Sequence, residues 1–509
     1  MSLAAYFRLA RAGYVLSREG ALSIAEAVAL PAPLQFGISL ARLIERRSVR
    51  RTGRVERLTR ALNRLGPTYV KFGQTLGTRP DIVGIEIAGD LSALQDRMEP
   101  FDPALVPGIL AEALGDKAAG LTDISPPVAA ASIAQVHAAI LKPGNRKVAV
   151  KMLRPGVAQR FRADIESYYT AARFAERFLP ATRRLKPTDV VRTLDRSAQL
   201  ELDLRLEAAS ISELAENIKD DTGFVIPTVN WDHTAQNVLT TNWVDGIPIR
   251  DHAALDSAGA DRKLLAKNLL QSFLKHAIRD GFFHADMHPG NLFADPRTND
   301  IIAVDFGIMG RINRAERRFL ADILYGFITR DYTMVARRHF DIGYVPPHQS
   351  VDDFALAIRS IGEPLHGRTA RDISMAKVLG QLFAITELFD MQTRPELVLL
   401  QKSMVLVEGV ARALDPELDI WTIAEPVVGE WLRREAGPIG RIEDLSDGLK
   451  DFAEAARRVP AILADAELAL ADYHARKTKR ALIRPWMVLT IAWLALIALV
   501  LLIWRLLLL

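Results

Sequence analysis

Three polar side chains near the middle of the chain have the types and the spacing that phosphoryl transfer requires. Asp286 and Asn291 belong to the segment Phe-Phe-His-Ala-Asp-Met-His-Pro-Gly-Asn, and Asp305 opens an Asp-Phe-Gly triplet nineteen residues after Asp286. An aspartate can orient or deprotonate the attacking hydroxyl, and amide and carboxylate oxygens are suitable Mg²⁺ ligands. We therefore predict an ATP-dependent phosphoryl-transfer site with Asp286 as the catalytic residue and Asn291 and Asp305 as the ligands of Mg²⁺.

A lysine upstream completes this set. Lys151 ends a strand-like run, Val-Ala-Val-Lys, from which its ammonium group can hold nucleotide phosphates if a helix carboxylate fixes it. Glu207, in a helical segment, is the candidate partner, and Lys151 is then a second catalytic residue. The interval from Lys151 to Glu207 is much longer than in ordinary protein kinases, which predicts an insertion between strand and helix. Considered alone, the acids of this segment would be typical of a solvated helix face.

Each of these signals has a structural alternative when it stands alone. An isolated Asp-Phe-Gly is often only a turn, and an isolated asparagine often only caps a helix. His284, Asp286 and His288 also resemble a hydrolytic metal cluster, but no further His-Asp partner occurs at a helpful spacing. The order of lysine strand, catalytic loop and Asp-Phe-Gly triplet favours the kinase-like interpretation.

The turn before the lysine strand is rich in alanine where a phosphate-binding loop usually contains glycine. Backbone amides and the Ser132 hydroxyl could contact phosphate there, but alanine side chains restrict how closely the loop approaches a nucleotide. Val244, at the end of a later strand, is a further predicted contact. The predicted nucleotide-contacting residues of the turn are Ala129, Ala130, Ala131, Ser132, Ile133, Ala134, Gln135, Val136 and His137. Considered alone, the run of alanines would indicate the start of a helix.

Strand-like and helical segments alternate along the chain, which indicates an α+β fold. The predicted strands are two short ones within 127–141, one over 147–152 and one over 237–244, and the predicted helices cover 162–179, 189–219 and 261–280, followed by a helix-rich region over 314–479. These elements would place the lysine on a strand and the catalytic loop directly after a long helix.

Composition narrows the possible functions. With 49% hydrophobic and 25% charged residues in a chain of 509, two or three folded structural units are expected. The absence of cysteine excludes disulfides, thiolate zinc sites, iron–sulfur clusters and cysteine nucleophiles. The net charge of +4 is small for this length, so nucleic acid is not an expected partner.

The C-terminal part of the sequence predicts a membrane anchor. The segment from Trp486 to Trp504 contains no charged residue, is just long enough to cross a bilayer as a helix, and has tryptophan at both ends. Basic residues between Arg476 and Arg484 precede it, which predicts that the bulk of the chain is cytoplasmic. A hairpin of two membrane segments is the alternative topology. Residues 21–47 are expected to form an interrupted amphipathic helix, and the N-terminus does not resemble a cleaved signal peptide.

Together these motifs resemble those of the UbiB/ADCK family of atypical kinases. The resemblance covers about residues 60 to 330 and includes the alanine-rich turn, the Lys-x-Gly-Gln segment from Lys71 to Gln74, the acidic pair Glu201 and Asp203, and the catalytic loop. The family implies a two-lobed protein-kinase-like fold whose N-terminal extension crosses the place where a peptide substrate would lie. By this resemblance, Lys71 and Gln74 would face Glu201 and Asp203 and would block phosphorylation of a protein in trans.

The resemblance also implies a function, in ubiquinone biosynthesis at the cell inner membrane. The chain would act as an ATP- and Mg²⁺-dependent kinase or ATPase that supports the polyprenylphenol hydroxylation steps. Its partners would be membrane lipid, polyprenylphenol intermediates and ubiquinone-biosynthesis enzymes. A pseudokinase scaffold for those enzymes and a small-molecule phosphotransferase are the alternatives. The sequence has no dinucleotide-binding fingerprint and no obvious iron triad, so hydroxylation would come from a partner enzyme.

The expected domain order combines these assignments. A helical N-terminal extension with the Lys-x-Gly-Gln segment is expected over 1–120, and a kinase-like N-terminal lobe with a helical insertion over 121–245. A helical C-terminal lobe with the catalytic and metal-binding loops is expected over 246–480. A single transmembrane anchor over 485–505 completes the chain.

Overall fold

The computed structural model describes the chain in several stretches, which hold all of the predicted site residues. The described residues are 3–22, 44–46, 49, 52–77, 90–91, 99–178, 186–365, 381, 385, 388–391 and 395–436. The predicted anchor over 485–505 and most of the predicted amphipathic helix over 21–47 lie outside them. Residues up to Trp431 belong to one compact unit, and a second unit begins at Leu432, of which 432–436 are described. Among the helices of the described residues, none combines the length and the apolar character that crossing a bilayer requires.

Helices and strands alternate through the described residues, as the sequence predicts. The helices are α1 (Leu3–Arg18), α2 (Arg54–Leu65), α3 (Pro67–Gly77), α4 (Val106–Leu114), α5 (Val157–Phe178), α6 (Pro187–Glu201), α7 (Leu204–Asn217), α8 (His252–Ser257), α9 (Arg262–Leu274), α10 (Arg314–Thr329), α11 (Tyr332–Asp341), α12 (Val351–Gly362), α13 (Pro395–Leu414) and α14 (Ile420–Ala436). The strands are β1 (Leu121–Thr122), β2 (Pro127–Ala130), β3 (Ala134–Leu141), β4 (Arg146–Leu153), β5 (Phe224–Val225), β6 (Val238–Asn242), β7 (Ile247–Pro248), β8 (Phe282–His284), β9 (Leu292–Asp295), β10 (Asp300–Ala303) and β11 (Met309–Arg311). A π-helical turn, Lys275–Asp280, continues α9.

The strand that carries Lys151 lies inside an antiparallel sheet. β3 pairs with β1, β2 and β4, and β4 also pairs with β6. In this register Lys151 lies opposite Val136 on one side and opposite Leu239 on the other. Directly opposed residues project to the same face of a sheet, and successive residues alternate between faces. Val136 and Leu239 therefore share the face of Lys151, whereas Gln135 and His137 project to the other face, which packs against α4.

The predicted insertion between the lysine strand and the Glu207 helix consists of α5 and α6. Their apolar faces pack together with α1, α2 and α3 in one hydrophobic cluster. Within it, the rings of Tyr69 and Phe72 on α3 contact Tyr168 on α5, with ring centroids 5.1 and 5.0 Å apart. Lys71 lies between these two aromatic residues in the sequence, so this packing fixes the position of the helix that carries it.

The helix predicted over 189–219 is divided in two. α6 ends at Glu201 and α7 begins at Leu204, because the carboxylate of Asp203 accepts a hydrogen bond from the backbone N–H of Arg205 at 3.1 Å and caps the second helix. An aspartate that bonds to nearby backbone competes with the helical hydrogen bonds and favours such a boundary. The break places Glu207 in the first turn of α7.

The C-terminal lobe brings two loops together. β9 and β10 form an antiparallel pair that is extended by β7 and, in parallel, by β5. β8 pairs with β11, and the backbone N–H of Ala285 donates to the carbonyl oxygen of Ile308 at 3.0 Å. The segment after β8, which contains Asp286, therefore lies beside the segment after β10, which contains Asp305. α13 packs against α9 and β11 on the same lobe.

Candidate active site

The ammonium group of Lys151 joins two carboxylates that come from separate elements. Its Nζ lies 2.8 and 2.9 Å from the two carboxylate oxygens of Glu207 on α7, and 2.8 Å from Oδ1 of Asp305 after β10. The side chains of Lys151 and Glu207 are only 16% and 8% exposed. Burial alone would lower the pKa of Lys151, but the carboxylates of Asp305 and Glu207 raise it above its ordinary value, so the ammonium stays charged. The fold thus assembles three residues that are far apart in the sequence.

Asp305 combines an unusual backbone conformation with an accessible carboxylate. Its φ of +63° lies in the left-handed region, which costs an aspartate roughly 1 kcal/mol. The turn is held because the backbone N–H of Phe306 donates to Oε1 of Glu207 at 3.3 Å. The ammonium of Lys151 lowers the pKa of Asp305 to about 2, so the carboxylate is ionised at neutral pH. Its side chain is 45% exposed, which leaves the group open to a ligand.

A buried histidine supports the catalytic loop from inside. Burial lowers the pKa of His284, which keeps its ring neutral. Nδ1 accepts the backbone N–H of Asp286 at 3.1 Å, and Nε2 lies 3.4 Å from the carbonyl oxygen of Val304. The neutral tautomer with its proton on Nε2 satisfies both contacts. Both ring nitrogens are therefore occupied, which argues against the hydrolytic-cluster alternative, and no group of three histidine or acidic side chains in the described ranges could hold a metal.

Asn291 links the catalytic loop to the strand before Asp305. Its Nδ2 donates to the carbonyl oxygen of Asp286 at 3.0 Å and lies 3.3 Å from the carboxylate Oδ2 of the same residue. The backbone N–H of Val304 donates to the carbonyl oxygen of Asn291 at 2.9 Å. Because the amide nitrogen of Asn291 is committed to Asp286, its Oδ1 remains as a possible ligand. Asn291 and Asp305 therefore lie on adjoining backbone segments beside Asp286.

This donor set fits Mg²⁺ and a nucleotide. Mg²⁺ is usually bound through one or two carboxylates together with phosphates and water, and all of its preferred ligands are oxygens. Asn291 and Asp305 can supply such oxygens, and Lys151 supplies a positive charge for phosphate. On the same face of the sheet, the partly buried side chain of Val136 offers an apolar contact against which a nucleobase could pack, with the buried Leu239 beside Lys151 on the next strand.

The alanine-rich turn forms where the sequence predicts it, but it is held in an unexpected way. Ala129 and Ala130 end β2, and Ala134 begins β3. Between them, the guanidinium of Arg154 donates twice to the carbonyl oxygen of Ala131, at 3.0 and 2.9 Å. Arg154 also contacts Ile133, because the backbone N–H of Arg154 donates to the carbonyl oxygen of Ile133 at 2.8 Å. Arginine contacts thus stabilise a turn whose alanines lack the conformational freedom of glycine.

Some predicted nucleotide contacts do not face the cleft. Ser132 is buried, and so are Gln135 and His137. Gln135 accepts the backbone N–H of Phe101 at 3.0 Å through Oε1, and its Nε2 lies 2.8 Å from Nε2 of His137. The prediction that the Gln135 and His137 side chains contact the nucleotide is therefore corrected: both lie on the opposite face of β3, where they hydrogen-bond within the lobe. Val244 is half-buried just after β6.

The predicted contact between the N-terminal extension and the acidic pair is found for one acid. Nζ of Lys71 on α3 lies 2.7 Å from Oε2 of Glu201, and Gln74 lies about one turn further on the same helix. Asp203 bonds instead to the guanidinium of Arg205, at 2.9 and 2.6 Å, so the prediction that it also faces Lys71 is wrong. Because Asp203 caps α7, its carboxylate is oriented towards the backbone and the guanidinium of Arg205.

Two residues that the sequence does not single out approach the site from α13. The hydroxyl of Ser403 donates to the carbonyl oxygen of Ala285 at 3.1 Å, directly before Asp286. Its neighbour Lys402 lies close enough to Asp286 and Lys71 for their charges to act on its pKa. The only local signal is a lysine within the largely apolar run Leu-Val-Leu-Leu-Gln-Lys-Ser-Met-Val-Leu-Val.

Together, a lysine–glutamate pair on a small antiparallel sheet, a catalytic loop and an Asp-Phe-Gly aspartate define a kinase-like α+β protein. The chain matches the ABC1 atypical kinase-like domain over residues 93–339 and the UbiB helical domain over residues 358–419. It is 42% identical over 420 residues to a protein of Marinobacter nauticus named "Probable protein kinase UbiB", a match that covers 82% of this chain and 77% of the relative. The chain therefore belongs to the UbiB family of atypical kinases, which confirms the resemblance of its motifs.

One solved structure also aligns with part of this chain. It is titled "The complex structure of Rv3197-erythromycin from Mycobacterium tuberculosis", and it aligns with this chain at a TM-score of 0.49 and 24% identity. The alignment covers 70% of this chain and 90% of that chain.

Proposed function

We propose that this chain is an ATP- and Mg²⁺-dependent atypical kinase or ATPase that supports ubiquinone biosynthesis at the membrane. The observation that carries the proposal is the bridge from Lys151 to both Glu207 and Asp305, because it holds a phosphate-binding cation beside a metal-binding carboxylate. A pseudokinase scaffold would not need Asp286 and Asn291 as well. The ubiquinone role draws its support from the name of the UbiB relative.

The residues divide the work of phosphoryl transfer. Asp286 accepts the proton of the attacking hydroxyl or water. The oxygen of that hydroxyl or water bonds to the γ-phosphorus, while the bond from the γ-phosphorus to the bridging β-phosphate oxygen breaks and ADP leaves. Asn291 orients Asp286 through its amide nitrogen, 3.3 Å from Oδ2. Lys151 holds the phosphates, fixed by Glu207. Bound Mg²⁺ supplies charge neutralisation on the phosphate oxygens.

The N-terminal extension bears on the choice of acceptor. Lys71 is paired with Glu201, and its charge also reaches Asp305, where it contributes to lowering the pKa of that carboxyl after the larger effect of Lys151. A helix so close to the cleft competes with an extended peptide substrate for space. We therefore infer that the acceptor is water or a small or lipid-linked molecule, not a protein in trans.

Membrane attachment is the second part of the proposal. The uncharged segment from Trp486 to Trp504 and the basic residues before it support a single-pass anchor in the cell inner membrane with the bulk of the chain in the cytoplasm. An anchored enzyme would meet polyprenylphenol intermediates and the ubiquinone-biosynthesis enzymes at a raised effective concentration.

The proposal is tested by ATP turnover of the full-length protein in vesicles of anionic phospholipid, with and without a phenolic lipid, and in Mg²⁺ or EDTA. The expected result is Mg²⁺-dependent turnover that the phenolic lipid increases. A strain that lacks the gene should regain ubiquinone with the wild-type chain and not with Asp305→Asn. Normal ubiquinone in the deletion strain would remove the biosynthetic role, and turnover that persists in EDTA would remove the Mg²⁺-dependent chemistry.

A further inference from the structure

The helical region after the catalytic lobe reaches directly under the catalytic loop. Ser403 is buried in α13, and its hydroxyl donates both to the carbonyl oxygen of Ala285 at 3.1 Å and to that of Leu399 at 2.8 Å. Ala285 directly precedes Asp286, so α13 is anchored one residue away from the catalytic carboxylate. The position of Lys402, the residue before Ser403, is fixed by the same contact.

Lys402 directly precedes this anchor on α13. The residue is open to solvent, yet the protein around the cleft lowers its pKa by desolvation, which the carboxylate of Asp286 opposes and the ammonium of Lys71 reinforces. Both groups belong to the candidate active site. Because Ser403 is bonded to the residue before Asp286, Lys402 lies beside the catalytic loop and within range of the charges of Asp286 and Lys71.

The cations of the cleft differ in how far they are already neutralised. Lys151 is bonded to Glu207 and Asp305, and Lys71 is bonded to Glu201. Lys402 forms no hydrogen bond or ion pair with any residue that the structure describes, although Asp286 lies near it. A lysine left without a partner in a cleft that is built for phosphate is positioned to bind a phosphate oxygen as a point charge.

We propose that Lys402 binds the terminal phosphate of the nucleotide. Lys402 lies in the part of the chain that matches the UbiB helical domain, so this domain contributes a nucleotide-contacting residue in addition to its packing role. Lys151, which Glu207 holds in place, is expected to bind the α- and β-phosphates. Asp286 lies where the nucleophile attacks the γ-phosphorus. Since Lys402 is near Asp286, the ammonium group of Lys402 would interact with the γ-phosphate, which is the group transferred. This inference rests on the proposed use of ATP.

The test compares the affinities of the full-length protein for ATP and ADP in Mg²⁺, measured by equilibrium titration, between the wild type and Lys402→Met. Loss of a charged hydrogen bond to the γ-phosphate should weaken ATP binding roughly ten- to a hundredfold, whereas the affinity for ADP should stay within about twofold. Lys402→Arg, which keeps the charge, should retain most of the preference for ATP. Lys263→Met, at an exposed lysine of α9, is the matched control for the loss of one positive charge and should change neither affinity.

The two affinities distinguish a contact of Lys402 with the γ-phosphate from the alternatives. Equal weakening of ATP and ADP would show that Lys402 does not distinguish the terminal phosphate, and unchanged affinities would show that it does not contact nucleotide; either result overturns the proposal. If Lys402→Met unfolds, Lys402→Gln is measured in its place, with the thermal unfolding midpoint as the check of folding. If the wild type binds neither nucleotide, the proposed function fails as well, a result distinct from failure of the Lys402 contact alone.

Discussion

Replacing Lys151 with methionine should destabilise the protein as well as abolish nucleotide binding. The ammonium lies within 2.8 to 2.9 Å of three carboxylate oxygens of Glu207 and Asp305, so its removal leaves two acids facing each other without a cation. Breaking a buried ion pair by removing one partner costs about 3 to 5 kcal/mol. Because Asp305 is 45% exposed and can be hydrated, we expect the low end, about 3 kcal/mol at neutral pH.

A second substitution should recover much of this loss. In Lys151→Met/Glu207→Gln the buried negative charge is removed together with the cation, and the glutamine oxygen can still accept the N–H of Phe306. Replacing both members of a buried pair is often nearly neutral. The double variant should therefore be more stable than the single variant by about 2 kcal/mol, although neither should bind ATP.

The stability contributed by Asp305 should depend on pH in a predictable direction. The pKa of Asp305 falls from 3.8 to about 2 in the folded protein, so its contribution to stability is present above about pH 4 and is lost as the pH falls towards 2. Full conversion of this shift would give about 2.4 kcal/mol, which solvent screening of the half-exposed side chain reduces to about 1 kcal/mol. Lys151→Met should lack this contribution, so its deficit relative to the wild type should shrink on acidification.

Urea-induced unfolding of the full-length protein in detergent, followed by intrinsic fluorescence between about pH 7 and about pH 2, measures the stability of the single variant, that of the double variant and the pH dependence of both. Lys263→Met serves as the control for the loss of a positive charge. The stabilising role of the Lys151 ammonium is refuted if Lys151→Met is as stable as the wild type at neutral pH, or if the double variant is no more stable than the single one.

Three further substitutions and one truncation test the metal ligand, the two faces of β3 and the predicted anchor. Asp305→Asn should fold, as seen in its unfolding midpoint, but should lose Mg²⁺-dependent ATP turnover by orders of magnitude, because the metal loses a carboxylate ligand. Gln135→Ala should lower the free energy of unfolding by about 1 to 3 kcal/mol, since the Phe101 N–H loses its acceptor, and should leave ATP affinity unchanged in titration. Changing its neighbour Val136, on the cleft face, to aspartate should instead weaken ATP binding in the same titration and leave the free energy of unfolding nearly unchanged. Removal of 486–509 should release a chain that still binds ATP from the membrane fraction without restoring ubiquinone to a deletion strain.

The parts of the site that the sequence predicts depend on local patterns. Lys151 is placed by a short apolar strand, Glu207 by a helical segment, and Asp305 by an apolar strand that ends at the Asp-Phe-Gly turn. Strand and helix periods are strong local signals, and the order of the motifs supplies the rest. The long interval between Lys151 and Glu207 also correctly indicates an insertion, which α5 and α6 provide.

What the sequence does not predict depends on orientation and on distant contacts. Gln135 faces away from the cleft because side chains alternate along β3, a rule that the sequence could have supplied once Val136 was paired with the lysine strand. Asp203 caps α7 because a partner two residues away involves less loss of chain entropy than a distant lysine. Lys402 and Asp286 are more than a hundred residues apart in the sequence. Only the packing of α13 under the catalytic loop brings them together.

The Mg²⁺ dependence of ATP binding tests the central claim most directly. ATP is titrated into the full-length wild-type protein in Mg²⁺ and then in EDTA, and both titrations are repeated with Asp305→Asn. The wild type should bind ATP at least about tenfold more tightly with Mg²⁺ than without it, and Asp305→Asn should lose this difference. Equal ATP affinity of the wild type in Mg²⁺ and EDTA, or an undiminished Mg²⁺ effect in Asp305→Asn, would contradict the central claim.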